Sequence, residues 1–223
     1  MADHPLPGPP PKSGAPGLHS MPPGDWFRVH LFDRRTGRYP PHPFNDSGQG
    51  NARFSPLVSG TKIVPTLYAS QTLDGALMET VLHDVPYPSA GYHHDLARDL
   101  KSGLHASRIT VTKPLQLVDL TKLGLQRMGI RPSEMFETDA GDCPRTRAWA
   151  RWLHDSMPKA QGLTWLSARN PEARSIMLFG DRVKPSALRA HQPSDSRPLR
   201  DPQVQEVLLW LLDRLGCGVA PDR

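Results

Sequence analysis

Pro65-Thr66-Leu67-Tyr68-Ala69-Ser70-Gln71-Thr72-Leu73-Asp74-Gly75-Ala76-Leu77-Met78-Glu79-Thr80 holds a strand and a helix back to back. Thr66 to Ser70 carries the β-branched, apolar and aromatic side chains that suit a short strand. Thr72 can cap a helix, because its hydroxyl can accept from a first-turn amide. Leu73, Ala76, Leu77 and Val81 then recur at helical spacing, which predicts a helix from Leu73 to His83. Val85-Pro86 and Pro88 end it, since proline lacks the amide that a helix interior needs. Glu79 therefore rides on a short helix that directly follows a strand.

Working outward, Trp26 to Leu31, Ser107 to Val111, Leu115 to Leu120, Gly162 to Ser167 and Ser175 to Phe179 read as further strands. Thr146 to Met157 has helical spacing through Ala148, Trp149, Trp152 and Leu153. Arg34 to Gly50, rich in Pro, Gly, Asn and Asp, reads as a long loop, a type of segment that is often functional. Near the end Val204, Val207, Leu208, Leu211, Leu212 and Leu215 form one apolar stripe. Asp201 can cap that helix, Pro202 suits its first position and Gly216 its stop. The stripe is expected to dock on the core, with a homo-oligomer or partner interface as the alternative use. Strands and helices do not alternate strictly, so the fold class is α+β rather than a doubly wound nucleotide fold.

Composition agrees with one domain plus loosely packed pieces. The chain has 223 residues, 37% of them hydrophobic, and 25 prolines. Residues 1–24 are Pro/Gly/Ser-rich and are expected to be a disordered arm, since they offer too little apolar surface to offset ordering. Residues 25–185 form the expected catalytic domain, 186–200 an irregular Pro/Arg-rich segment, and 201–216 the final helix.

Several function classes drop out. No apolar run is long enough to span a membrane. The first residues lack a basic start and an apolar stretch, so a cytoplasmic protein is expected. Cys143 and Cys217 are distant in sequence and outside any CxxC pair, which fits reduced thiols. The net charge of +5 suits an anionic ligand or an acidic partner. Basic residues do not interleave with aromatics as a stacking platform would, so direct nucleic-acid binding is not expected. There is no P-loop, no GxSxG and no HExxH. Gly48-Gln49-Gly50-Asn51-Ala52-Arg53 lacks the third glycine of the dinucleotide fingerprint and follows a loop. Glu79 and His83 share a helix face, but no further ligand pair accompanies them and no metal is expected.

Three stretches, in order, resemble the RES domain, a bacterial family named for its Arg, Glu and Ser. The first is Trp26-Phe27-Arg28-Val29. The second runs from Gly48-Gln49-Gly50-Asn51-Ala52-Arg53-Phe54-Ser55-Pro56 through Pro65-Thr66-Leu67-Tyr68-Ala69-Ser70 to Ala76-Leu77-Met78-Glu79-Thr80. The third is Gly162-Leu163-Thr164-Trp165-Leu166-Ser167-Ala168-Arg169 followed by Leu178-Phe179-Gly180-Asp181-Arg182. The resemblance covers roughly residues 26–185 and is carried by the ordered set, not by any one piece. It implies an ADP-ribosyltransferase-like fold, a split β-sheet core with flanking helices. It also implies consumption of NAD⁺ as substrate, by hydrolysis, phosphorolysis or ADP-ribosyl transfer. Many members are toxins restrained by a helix-turn-helix antitoxin. The stretch Val58-Ser59-Gly60-Thr61-Lys62 departs from the tighter loop of the paired toxins.

Those residue types suit that chemistry. Cleaving the nicotinamide–ribose bond builds positive charge on the ribose, and nicotinamide leaves as a neutral base without a general acid. Glu79 could hold the ribose hydroxyls and stabilise the cation. Arg28 and Arg53 could clamp the pyrophosphate through forked, charge-assisted hydrogen bonds. Tyr68 could lie against nicotinamide, and Ser167, at a strand end, could bind the carboxamide or a ribose hydroxyl. Arg169 is an additional candidate on the side of Ser167. An ADP-ribosyltransferase acting on a protein, and a non-enzymatic binding module, are the competing functions.

Overall fold

Strand formation follows the two-residue alternation of apolar side chains, and the computed structural model describes residues 6–31, 43–86, 88–136, 143–167, 173–190 and 195–221. In chain order the strands are β1 (Leu18–Met21), β2 (Gly24–Leu31), β3 (Leu57–Ser59), β4 (Lys62–Val64), β5 (Thr66–Ser70), β6 (His93–His94), β7 (Leu104–Val111), β8 (Leu115–Asp119), β9 (Gly162–Leu166), β10 (Arg174–Phe179), β11 (Leu188–Ala190), β12 (Ser196–Pro198) and β13 (Gly218–Val219). The helices are α1 (Leu73–Met78), α2 (Leu96–Lys101), α3 (Lys122–Arg127), α4 (Pro132–Phe136), α5 (Cys143–Ser156) and α6 (Pro202–Arg214).

A nine-stranded sheet runs β1-β8-β9-β10-β5-β2-β7, and β11 and β12 both pair with the far side of β7. β8 and β9 are parallel, and the other pairings in this sheet are antiparallel. On one face, Leu67, Ala69, Ile176 and Leu178 join Trp26 and Ile109 in a buried cluster. On the other, Met177 and Phe179 pack with Phe54, Trp165 and Trp149 of α5. A third cluster joins Leu77 and Met78 of α1 to Val204, Leu208, Leu211 and Leu212 of α6. The expected α+β class, with a split sheet flanked by helices, is the observed one. The expected docking of the last helix is also seen, with Asp201 accepting from Gln203 N–H and Gly216 at φ +67 past the end.

Three expectations are corrected. The arm does not stay loose over its described part, residues 6–24. Leu6 is 5% exposed, the Trp149 indole N–H donates to Pro7 O at 2.6 Å, and β1 pairs with β8. Leu18 to Met21 contains no proline, and the otherwise unpaired edge of β8 supplies its hydrogen-bond partners. The segment expected to be irregular up to residue 200 holds β11 and β12, three residues each. Strands that short carry no readable alternation, and Pro198 is tolerated at the sheet edge. Finally, α1 ends at Met78 instead of His83. The amides of Thr80, Val81 and Leu82 all converge on Leu77 O, which closes the helix. Val81 and Leu82 still reach the core through the turns that follow.

Gly75 sets how closely α1 lies on the sheet. A Cβ there would meet Ser70 Oγ at 2.4 Å and Ala173 Cβ at 2.7 Å. Gly75→Ala should therefore push α1 off β5, costing about 1–3 kcal/mol in a denaturant melt. Activity should fall more steeply than stability, because Glu79 rides at the end of α1.

Candidate functional site

The sheet parts at one place. β2 and β5 share a single register pair, Phe27 with Ser70, whereas β2 pairs with β7 along all eight of its residues. Carrying the register across, Ser70 faces Ser175 and Ser175 faces Trp165. Directly opposed residues project to the same side, so Phe27, Ser70, Ser175 and Trp165 form one transverse row. A cleft opens over this row, with Arg28, Tyr68, Glu79 and Thr80 also in its lining.

Glu79 is the C-cap of α1, its amide bonded to Gly75 O at 3.0 Å. The N-terminal end of α1 is held by Thr72, whose hydroxyl accepts from Gly75 N–H at 3.2 Å. The Glu79 residue is half-buried, and no described residue hydrogen-bonds its carboxylate. Tyr68 lies beside it. The Tyr68 hydroxyl accepts from Phe54 N–H at 3.2 Å, and its ring meets Trp165 edge-on, with centroids 6.2 Å apart. Burial pushes the Tyr68 phenol well above its usual range, and the nearby Glu79 charge adds to that, against hydrogen bonds to Ser55 and Phe54. The phenol is thus a neutral wall at any physiological pH.

Arg28 lines the cleft, and its guanidinium donates to Pro43 O at 2.7 Å. Burial lowers its pKa to about 10, which leaves it cationic at neutral pH. Arg53 stands behind the lining. Its guanidinium donates to Met135 O at 3.0 Å and sits 5.8 Å over the Phe136 ring, which in turn stacks on Trp165. Its charge still reaches Tyr68. The first turn of α5 fixes this loop: Thr146 Oγ1 donates to Arg53 O, and Arg147 donates to Ala52 O at 3.1 Å and Asn51 Oδ1 at 2.6 Å. Ser167 is buried just past β9, its amide donating to Ala173 O at 3.0 Å. Two residues along from Trp165, it shares that face of the sheet but is outside the cleft lining. Arg169, and residues 34–42 of the long loop, lie outside the described residues.

The structure thus brings Arg28, Tyr68 and Glu79 together, and it sets Arg53 and Ser167 one layer back. The sequence reading gave no site role to Phe27, Ser70, Thr80, Trp165 or Ser175. Trp165 stood inside a recognisable stretch, whereas the two serines are brought together only by strand register. His83, paired with Glu79 as a metal candidate, instead bonds Thr80 O at 2.7 Å and lies 3.0 Å from Asp84. Among the described residues no cluster of three metal-ligating side chains occurs.

His30, two residues from Arg28 on β2, is held between Leu31 O at 3.0 Å and Ser107 Oγ at 2.7 Å. Burial first, then the Arg28 charge, lowers its pKa from 6.5 to about 4. Between those values the unfolded chain binds the proton and the folded one does not, so stability rises with pH across that window. Thermal melts should therefore show stability lost as pH falls from about 6.5 towards 4, with His30→Asn flattening the slope.

A model of the RES domain matches residues 25–201. The chain belongs to the RES domain family. That match leaves out residues 1–24 and all of α6, although the described residues 6–24 and α6 both pack on the RES core. No curated protein matches the sequence. Among solved structures, a chain of the M. tuberculosis MbcT–MbcA toxin–antitoxin complex superposes with a TM-score of 0.57 at 16% identity, over 84% of this chain and 91% of that one. At that identity the likeness concerns the fold. Both cysteines of the RES chain are free, and among the described residues no helix is long and apolar enough to cross a membrane.

Proposed function

We propose that this RES protein splits NAD⁺ at the nicotinamide–ribose bond, acting in the cytoplasm with water or phosphate as acceptor. The observation that carries the reading is the Glu79 carboxylate. It is half-buried in a cleft walled by Tyr68 and Trp165 and rimmed by Arg28, with no hydrogen bond from a described residue. Such a carboxylate is ready to accept from ribose hydroxyls and to stabilise the ribosyl cation as the bond breaks. Tyr68 offers a flat neutral face to nicotinamide. Arg28 supplies positive charge at the rim for the pyrophosphate, with Arg53 acting from behind the aromatic wall, while Ser167, at the end of β9, serves the carboxamide or a ribose hydroxyl. NAD⁺ is substrate here, not cofactor.

Family membership and the toxin–antitoxin complex among its structural likenesses support a toxin role with an antitoxin partner, which the family resemblance makes a helix-turn-helix protein. Expression without that partner should lower cellular NAD⁺ and arrest growth, and Glu79→Ala should restore both. Unchanged NAD⁺ in the arrested cells counts against the reading. Transfer of ADP-ribose to a protein would use the same cleft. Labelled NAD⁺ added to lysate would then mark a discrete band, while NAD⁺ consumption without a band excludes transfer.

A further inference from the structure

The floor of the cleft has a hydrogen-bond polarity of its own. The Ser70 hydroxyl donates to Arg174 O at 3.1 Å. A carbonyl can only accept, so this bond uses the one hydrogen that Ser70 Oγ has. The Ser175 and Ser70 hydroxyls lie 3.4 Å apart, a long contact in which Ser175 must therefore be the donor. Both hydrogens are committed in one direction, from Ser175 to Ser70 to Arg174. Ser175 Oγ keeps its lone pairs, and no described residue directs a donor at it. Both serines are 1% exposed and both line the cleft. Glu79, on the same lining, is likewise an acceptor when ionised. The deep end of the cleft thus offers acceptors beside the aromatic wall of Tyr68 and Trp165. The lack of a side chain at Gly75 leaves room for the Ser70 hydroxyl, which a Cβ there would displace.

We propose that Ser175, oriented by Ser70, is a specificity-determining residue that accepts from the carboxamide N–H of the substrate and so selects a primary amide over a carboxylate. A carboxylate has no hydrogen to give, and it would face the lone pairs of Ser175 together with the Glu79 charge. A site built around a hydrogen bond rejects an analogue that cannot make it far more strongly than an apolar pocket rejects a size change. This inference rests on the NAD⁺ reading above and deepens it.

The test compares turnover of NAD⁺ with that of nicotinic acid adenine dinucleotide, which carries a carboxylate where NAD⁺ has the amide. Wild-type protein should prefer NAD⁺ by at least a hundredfold in kcat/KM. Ser175→Ala should shrink the preference about tenfold or more. Ser70→Ala should also shrink it, by raising turnover of the acid, because Ser175 then has a hydrogen free to donate. Loss of folding would not produce a gain on the acid, and calorimetric binding of nicotinamide against nicotinate to the wild type gives a second reading that needs no variant. Equal turnover of both dinucleotides overturns the specificity and leaves the NAD⁺ reading intact. A strong preference that neither variant changes overturns the assignment to Ser175. Turnover of neither dinucleotide overturns both the inference and the reading beneath it.

Discussion

Glu79→Gln should cut kcat for nicotinamide release by roughly 10²–10³, equivalent to about 2.7–4 kcal/mol of transition-state stabilisation. KM should change little. The amide keeps the size of the side chain and much of its capacity to meet ribose hydroxyls in the ground state. It loses the negative charge that matters only as the ribose becomes cationic. The melting temperature should hold within a degree or two, because no described residue hydrogen-bonds the Glu79 carboxylate. Steady-state kinetics with circular dichroism melts check both halves. A variant as active as wild type would remove Glu79 from the chemistry.

Trp149→Ala should be the most damaging substitution for the fold. Trp149 is fully buried in the cluster with Phe54, Trp165 and Phe179, and its indole N–H holds Pro7 of the N-terminal segment. Truncating a buried tryptophan costs about 3–5 kcal/mol, a large share of the roughly 5–15 kcal/mol that holds a domain together. In a chain of this size that lowers the melting temperature by roughly 10–15 °C. Function should suffer ahead of global unfolding. Trp149 lies on α5, whose first turn clamps the loop bearing Arg53 through Thr146 and Arg147. Deleting residues 1–24 should cost at least as much, because it removes the buried Leu6 and Met21, the pairing of β1 with β8 and the acceptor of the Trp149 N–H, and differential scanning calorimetry ranks the two.

Sequence carried those parts of the molecule in which local signals agree with tertiary packing. The Thr66–Ser70 strand and α1 with its Thr72 cap were readable because β-branched pattern, capping side chain and helical period coincide within a few residues. The same holds for α5 and for α6 with its Asp201 cap. What escaped is set by pairing between distant segments. β1, β11 and β12 exist because edges of β8 and β7 need partners, and nothing within three or four residues announces that. The parting of β2 from β5 after Phe27 and Ser70, which makes the cleft, is likewise a property of the sheet. It explains why Glu79, Arg28 and Tyr68 were found from their stretches, while Ser70 and Ser175 emerged only from register. It also explains Arg53: its family motif was readable, but the path of its guanidinium over Phe136 depends on α4.

On the proposed function, this cleft breaks the bond between nicotinamide and ribose. Chromatography of NAD⁺ incubated with purified protein tests it most directly, run with and without phosphate and with Glu79→Gln in parallel. Free nicotinamide should appear one for one with NAD⁺ consumed, alongside ADP-ribose or its phosphorylated form, and should vanish with the variant. Intact NAD⁺ after prolonged incubation with wild-type protein, or cleavage at the pyrophosphate instead, would contradict it.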